Sequence, residues 1–431
     1  ALHQMRQTKH DYDTELAVLD FKDAFFLMPL HASERKFFVL KFRGRFLVFM
    51  VTPQGMYEPR SLLLSVHVDD PCMAVTGTKA DRDLRIAAIA VLWNALGFPL
   101  SYRKAARGME VTWVGRTFAL SREMVALRVK RAILEDLESQ VGQALASNVC
   151  SRKLLRSLTG RASHVASVIW PLRPFLQQLW AALAAGASGA PPQCVWTRQI
   201  EGSLLWLRAF LSGAAGTLVR KFVLADFFNE GVLVSITLDA SPWGLGAILE
   251  EAGRVVEWYA VPLDGYDVAV HGFQLGDAAG QQTWETLNAL VALRCWAPRW
   301  SNRRVSLYVR GDSVTMLTML LSFRPATRSG SLGLIAREVA LDVASAVYGP
   351  DVVEHVPGLA NVAADTLSRR FAPDAAAWSP PLLVAGASEV RPPPRTEAFY
   401  TTVKGAAAYA AAGKPGGEVR QDHVPASRVW Q

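Results

Sequence analysis

At 431 residues the chain exceeds what one ordinary core holds, so two or three folded units with linkers are expected. Apolar residues make up 51% of it, which excludes a wholly disordered polymer. The net charge of +8 favours a polyanionic partner, and four scattered cysteines, Cys72, Cys150, Cys194 and Cys295, with no CxxC pair, indicate neither a disulfide framework nor a zinc site.

The N-terminal residues Ala1-Leu2-His3-Gln4 lack an initiator Met and any signal-peptide pattern, which points to an intracellular location and to a piece of a longer chain. Residues 15 to 120 alternate β-type runs (Leu16–Leu19, Phe37–Phe42, Phe46–Val51, Leu63–Val68, Val111–Leu120) with one helical segment, Asp81–Leu96, an α+β pattern. From Arg128 to Leu183 the periodicity is helical, with Leu154, Leu155 and Leu158 on one stripe. The run Ala184–Pro192 reads as a linker. The most apolar stretch, Ser203–Val219, is broken by Arg208, Gly213 and Gly216, so it predicts a buried helix and no membrane span.

A second mixed unit starts near Phe222. Val232, Val234, Ile236 and Leu238 share one face of a strand, which sends Ser235, Thr237 and Asp239 to an open face. A hairpin through Glu251-Ala252-Gly253-Arg254 leads to strand Val255–Tyr259. Then come helix Thr283–Trp296, strand Val305–Val309, helices Ser313–Leu321 and Leu332–Val347, strand Val352–His355 and helix Asn361–Ser368, an order of βββαβααβα. Beyond Phe371 the Ala, Pro and Gly content predicts a disordered tail.

Four acids fall where this topology gathers strand ends and helices: Asp239 in TLDAS, Glu285 in QTWETLNAL, Asp312 in VRGDS and Asp365 in NVAADTLSRR. Converging carboxylates raise one another's pKa unless cations neutralise them. Such hard oxygen ligands suit Mg²⁺, and two ions there serve an in-line displacement at phosphorus. These motifs, with EHVPGLANVAADTLSRR, resemble the ribonuclease H domain of retroelement polyproteins over roughly 140 residues. The resemblance implies two Mg²⁺ ions, with Mn²⁺ as a substitute, on Asp239, Glu285, Asp312 and Asp365. His355 then matches a loop histidine aiding proton transfer or product release, and Asn361, Pro357 and Gly358 shape that loop. It implies cleavage of the RNA strand of an RNA–DNA hybrid. The basic helix that some cellular members carry is absent from Ser322–Ser331.

In the N-terminal half, Asp20 follows Leu16–Leu19 and the pair Asp69-Asp70 follows Leu62–Val68, an arrangement able to hold two Mg²⁺ ions at a nucleotide triphosphate. LDFKDAFF, TPQGM, HVDDP and LGFPLSYRKAARGMEVTWVGRTF occur in the order found in the palm of retroelement reverse transcriptases, and residues 14 to 120 resemble the gypsy-like and DIRS-like groups. The resemblance implies Asp20 and Asp69 as metal ligands with Asp70 beside them. It makes Phe25 a gate against the ribose 2′-hydroxyl, Gln54 a contact to nucleotide or template, and Lys104 a proton donor near the triphosphate. His67 stands where the family has Tyr. Only 15 positions separate Gln54 from Asp69, too few for the helix and strand the family places there, so polymerase activity is expected to be lost.

The expected organisation is therefore a partial palm over 1–120 and a helical thumb or connection over 121–225, where Arg152, Lys153, Arg156 and Arg161 could follow a duplex backbone. A ribonuclease H-like mixed five-stranded sheet with helices follows over 226–372, and a disordered tail over 373–431. In class this is an α/β and α+β multidomain chain whose partners are RNA–DNA hybrid and template/primer nucleic acid. The alternatives are a catalytically dead, nucleic-acid-binding remnant and an integrase or transposase on the same fold.

Overall fold

The computed structural model describes residues 13–21, 39–42, 45–48, 62–67, 70–95, 98–185, 189–228, 230–301, 303–324, 330–375, 378–411 and 429–430. The chain divides into two compact units, Ala1–Lys130 and Arg131–Gln431, so the break does not fall at the Ala184–Pro192 run.

In the first unit, strand β1 (Asp13–Val18) is followed by the hairpin β2 (Val39–Phe42) and β3 (Arg45–Val48). Strands β4 (Leu62–His67) and β5 (Asp70–Gly77) are antiparallel, with His67 opposite Asp70, and β5 pairs with β1. Helix α1 (Lys79–Ala95) starts in a capping box: Thr78 Oγ1 accepts from Asp81 N (3.2 Å) and Asp81 Oδ2 from Thr78 N (3.1 Å). Its Trp93 closes a core of Leu19, Phe21, Met73, Val75 and Leu100, with Phe21 edge-on at 4.9 Å. Strand β6 (Ala106–Gly108) lies on the other side of β1. The run Val111–Leu120 is not one strand but two, β7 (Glu110–Trp113) and β8 (Arg116–Leu120), because Val114 (φ 49°) and Gly115 (φ 70°) form a left-handed two-residue turn. Strand β9 (Met124–Val129) pairs antiparallel with β8.

The second unit opens with α2 (Arg131–Leu145), β10 (Val149–Ser151), α3 (Arg152–Val168), α4 (Gln177–Ala184), β11 (Cys194–Trp196, paired with β10) and α5 (Glu201–Leu211). The buried stripes Leu155, Leu158, Ala162 and Val165 on α3, and Leu204, Leu207 and Phe210 on α5, repeat at helical spacing. Strand β12 (Val219–Val223) and the short α6 (Leu224–Phe227) lead into the sheet.

That sheet is built on β13 (Val232–Ala240), joined antiparallel by β14 (Gly244–Glu251), which pairs with β15 (Arg254–Pro262) through a left-handed turn at Ala252 (φ 49°) and Gly253 (φ 78°). Helix α7 (Gly265–His271), unforeseen in the sequence, precedes α8 (Gln281–Trp296). Next come β16 (Val305–Gly311), α9 (Val314–Ser322), α10 (Gly330–Ala344), β17 (Val352–His355), α11 (Val362–Ser368), β18 (Ser388–Glu389), α12 (Gly405–Ala411) and β19 (Val429–Trp430). Among the described residues seven strands, rather than the five expected, run in the order β18-β15-β14-β13-β16-β17-β19, with β13, β16 and β17 parallel. The extra two are the short edges β18 and β19. Both α8 and α11 pack on β13, so Ser235 and Asp239, expected on an open face, are buried instead.

The disordered tail expected from residue 373 is corrected over residues 378–411; residues 412–428 lie outside the described residues. Val384 and Trp378 pack against Ile248, Trp258 and Leu367, and Tyr400 is wholly buried. Arg395 Nε lies 2.8 Å from Asp267 Oδ2, and Glu338 Oε1 accepts from Thr402 N (2.6 Å) and Oγ1 (2.7 Å). Glu338 also pairs with Arg294 at 2.8 Å. Composition concealed these contacts because their partners lie 64 and 128 positions away. Among the described residues, no helix is long and apolar enough to cross a membrane.

Candidate active site

Asp239 sits near the end of β13, opposite Gly246 of β14. That glycine is obligatory: a Cβ there would stand 2.6 Å from Ser368 N and 2.7 Å from Ala364 O. Its bare backbone lets α11 lie directly on the sheet, which carries Asp365 to Asp239. Asn361, buried ahead of α11, donates to Leu238 O (2.9 Å) and so pins the helix start one residue from Asp239. On α8, buried Asn288 donates to Asp239 O (2.6 Å) and Gly246 O (2.8 Å), while accepting from Tyr259 (2.6 Å). One turn below Glu285, Gln281 donates to Ala240 O (2.6 Å) and to Glu285 Oε1 (3.1 Å).

Asp312 follows Gly311 at the end of β16, and its Oδ2 is 3.4 Å from where a Cβ would stand on Gly358. The next residue, Ser313, caps α9 through Met316 N (3.3 Å) and hydrogen-bonds Glu285. His355 ends β17 in register with Gly311, exposed beside that loop.

The electrostatics join the four acids. Burial pushes the Asp239 carboxyl up to about 7; the Ser368 hydroxyl, 2.6 Å from Oδ2, opposes this, and the charges of Asp312, Asp365 and Glu285 add to it. Burial raises Glu285 too, against hydrogen bonds from Ser313 and Gln281, with Asp312 adding its repulsion. Glu285, Asp312 and Asp365 thus each act electrostatically on buried Asp239. Asp239, Glu285 and Asp365 are also held by protein partners, most visibly Asp365, whose Oδ1 lies 2.7 Å from Arg369 Nη2. Among the described residues, no three His, Cys, Asp or Glu side chains stand close enough to grip a single ion in this arrangement. The donor chemistry is nevertheless of the kind that suits a hard divalent cation: carboxylate oxygens, one of them buried, whose mutual repulsion Arg369 offsets at Asp365.

In the first unit, buried Asp20 pairs with Lys104 (Nζ to Oδ2, 2.9 Å), and its carbonyl accepts from Ser101 N (2.7 Å). Asp70 opens β5, its carbonyl held by Trp113 Nε1 (2.7 Å), and Leu19 N bonds Pro71 O (3.0 Å), so Asp20 and Asp70 share one end of the sheet. Phe25, Gln54 and Asp69 lie outside the described residues. On α3 and its cap, Arg152 spends its guanidinium on Leu183 O (2.6 Å) and Ala185 O (3.1 Å), and Arg161 faces Asp136 at 3.5 Å.

Sequence reasoning missed Ser368, Arg369, Asn288 and Gln281. All lie three or four positions from a named acid, so helical spacing around Glu285 and Asp365 was the available signal.

No family model and no curated protein matches the chain. Solved structures similar to it include the foamy viral protease-reverse transcriptase in complex with RNA/DNA hybrid, at TM-score 0.34 and 14% identity over 80% of this chain and 45% of that one. The same viral protein with ds DNA, in the form described as dRH, gives 0.33 and 16% over 76% and 55%. Its complex with dsDNA gives 0.33 and 15% over 71% and 60%. The chain spans about half the length of these proteins, and superposition at this level carries no argument about activity.

Proposed function

We propose that the second unit is a ribonuclease H-like nuclease that cleaves the RNA strand of an RNA–DNA hybrid. The observation that carries this reading is the convergence of Asp312, Asp365 and Glu285 on buried Asp239, at the end of the central strand of a mixed sheet. Asp239, Glu285, Asp312 and Asp365 would hold two Mg²⁺ ions, with Mn²⁺ as a substitute. When bound, the ions supply charge neutralisation at the scissile phosphate and a water of lowered pKa. The chain's own part is positioning: Asn288 and Asn361 fix the backbone around Asp239, and Ser368 holds one of its oxygens. His355, exposed at the strand end beside Asp312, is available to move a proton at the leaving oxygen. Hybrid cleavage by the full chain in Mg²⁺ tests the reading: Asp312→Asn is expected to lower the rate at least about a hundredfold, and activity unchanged by it would remove the assignment.

For the first unit the reading is a partial polymerase palm that has lost nucleotide transfer, with Asp20 and Asp69 as former metal ligands, Asp70 beside them, and Phe25, Gln54 and Lys104 about the nucleotide. The support is the 15-position interval between Gln54 and Asp69. Robust DNA synthesis in a primer-extension assay would refute it. A second reading, a nucleic-acid-binding remnant without turnover, is favoured by one observation: Arg369 occupies Asp365 where a cation would be needed. No hybrid cleavage at saturating Mg²⁺, with hybrid binding retained, would select it.

A further inference from the structure

Apart from the four acids, the second unit carries an unusual group of arginines at Trp170. The Arg220 guanidinium lies 3.5 Å from the Trp170 ring centre and 4.6 Å from that of Phe222. Arg173 approaches the same indole at 4.7 Å. The indole is itself anchored, donating to Ser167 O (3.1 Å). Arg173 is fixed by donating to Ala166 O (3.2 Å) and Ser322 O (3.0 Å). Arg220 donates to no protein acceptor among the described residues, although it lines a pocket with Trp170, Thr217, Val219 and Phe323.

Elsewhere in the unit, Arg294, Arg299, Arg303, Arg310 and Arg395 each meet a carboxylate, at 2.6, 2.9, 2.6, 2.7 and 2.8 Å. Among the described residues Arg173 and Arg220 meet none, and they repel: burial and then the neighbouring Arg173 charge lower Arg220 to about 10, and burial and then Arg324 lower Arg173 to about 10. Stacking satisfies the face of a guanidinium and leaves its N–H edge in need of acceptors. Two partly buried cations held together without a carboxylate among the described residues call for an anion, and a phosphate oxygen pair matches a guanidinium edge while the face stays on the indole.

We propose that Arg220, with Arg173 and Trp170, forms a phosphate-binding site, filled by a backbone phosphodiester of a nucleic acid or by a free phosphate. This site does not rest on the four-acid nuclease reading. The test uses the full chain in EDTA, so that cleavage plays no part, and a short RNA–DNA hybrid titrated over a range of salt. Arg220→Gln is expected to weaken binding about tenfold and to flatten the salt dependence by about one counterion. Arg198→Gln, which alters another arginine near a tryptophan (Trp196, 5.7 Å), serves as the unchanged control. On the unsubstituted chain, phenylglyoxal labelling of Arg220 read by mass spectrometry keeps the idea testable even if the variant does not fold. Protection by inorganic phosphate alone assigns a free anion, and protection by hybrid alone assigns the backbone. Labelling slowed by neither, or a folded Arg220→Gln chain with unchanged hybrid affinity and no phosphate protection in the parent, would overturn the site and leave a purely structural stack.

Discussion

Asp239 is a carboxylate held against its own charge. Its folded pKa of about 7 stands above the ordinary value of 3.8, so between those limits the native state binds more protons than the unfolded one. Stability from this residue is therefore complete below about pH 4 and is lost as pH rises through about 7. In metal-free buffer Asp239→Asn, which can still accept from Ser368, is expected to stabilise the chain above pH 7 by on the order of 2–4 kcal/mol and to change little near pH 4. Urea denaturation at the two pH values checks this; equal midpoints for parent and variant at pH 8 would mean that the charge is not felt. Adding Mg²⁺ at pH 8 should raise the melting temperature of the parent and have much less effect on the Asn variant, because cation binding draws on the same unneutralised charge.

At the level of elements, the site depends on a helix lying on bare backbone. Gly246→Ala puts a methyl against Ser368 N and Ala364 O, neither of which can swing aside, so α11 must lift and carry Asp365 away. The expected cost is about 3 kcal/mol or more, with hybrid cleavage falling in step, whereas Gly265→Ala, with nothing within 4 Å of the new methyl, should stay within about 0.5 kcal/mol. Thermal melts of the two variants make the comparison. The strands β13, β16 and β17 and the helices α8 and α11 were legible because apolar residues recur at the period each element requires. Less visible was the turn splitting β7 from β8, since Val114 at φ 49° is a residue type that signals strand, not turn. Helix α7 was missed too, although Asp264 and Asp267 spell a capping box, because seven residues are too few to display a stripe.

Across the whole molecule, the four acids could be picked out in the sequence because Asp239 and Asp312 stand at strand ends and Glu285 and Asp365 lie within recognisable helices. The tail could not, because its order is conferred by distant charge. Asp267 and Glu338 are fully buried acids that draw partners from the far end of the chain: Arg395 for the first, and Thr401 and Thr402, alongside Arg294, for the second. Removing one member of such a buried pair leaves an uncompensated charge, so Arg395→Met is expected to cost about 3–5 kcal/mol. A chain ending at Ala375 should lose the cooperative melt of the second unit, while one ending at Ala411 should keep it. A cooperative melt in the shorter chain, followed by calorimetry, would refute this account.

The late position of those partners also sets an order of events during synthesis. A ribosome that has released residues only as far as α11 has exposed every proposed nuclease acid, yet Asp267 still waits for its guanidinium. Closure of the core must follow translation of Arg395 and Thr402, so nascent chains stalled before Arg395 should be cut rapidly by protease, and those stalled well beyond Ala411 should resist.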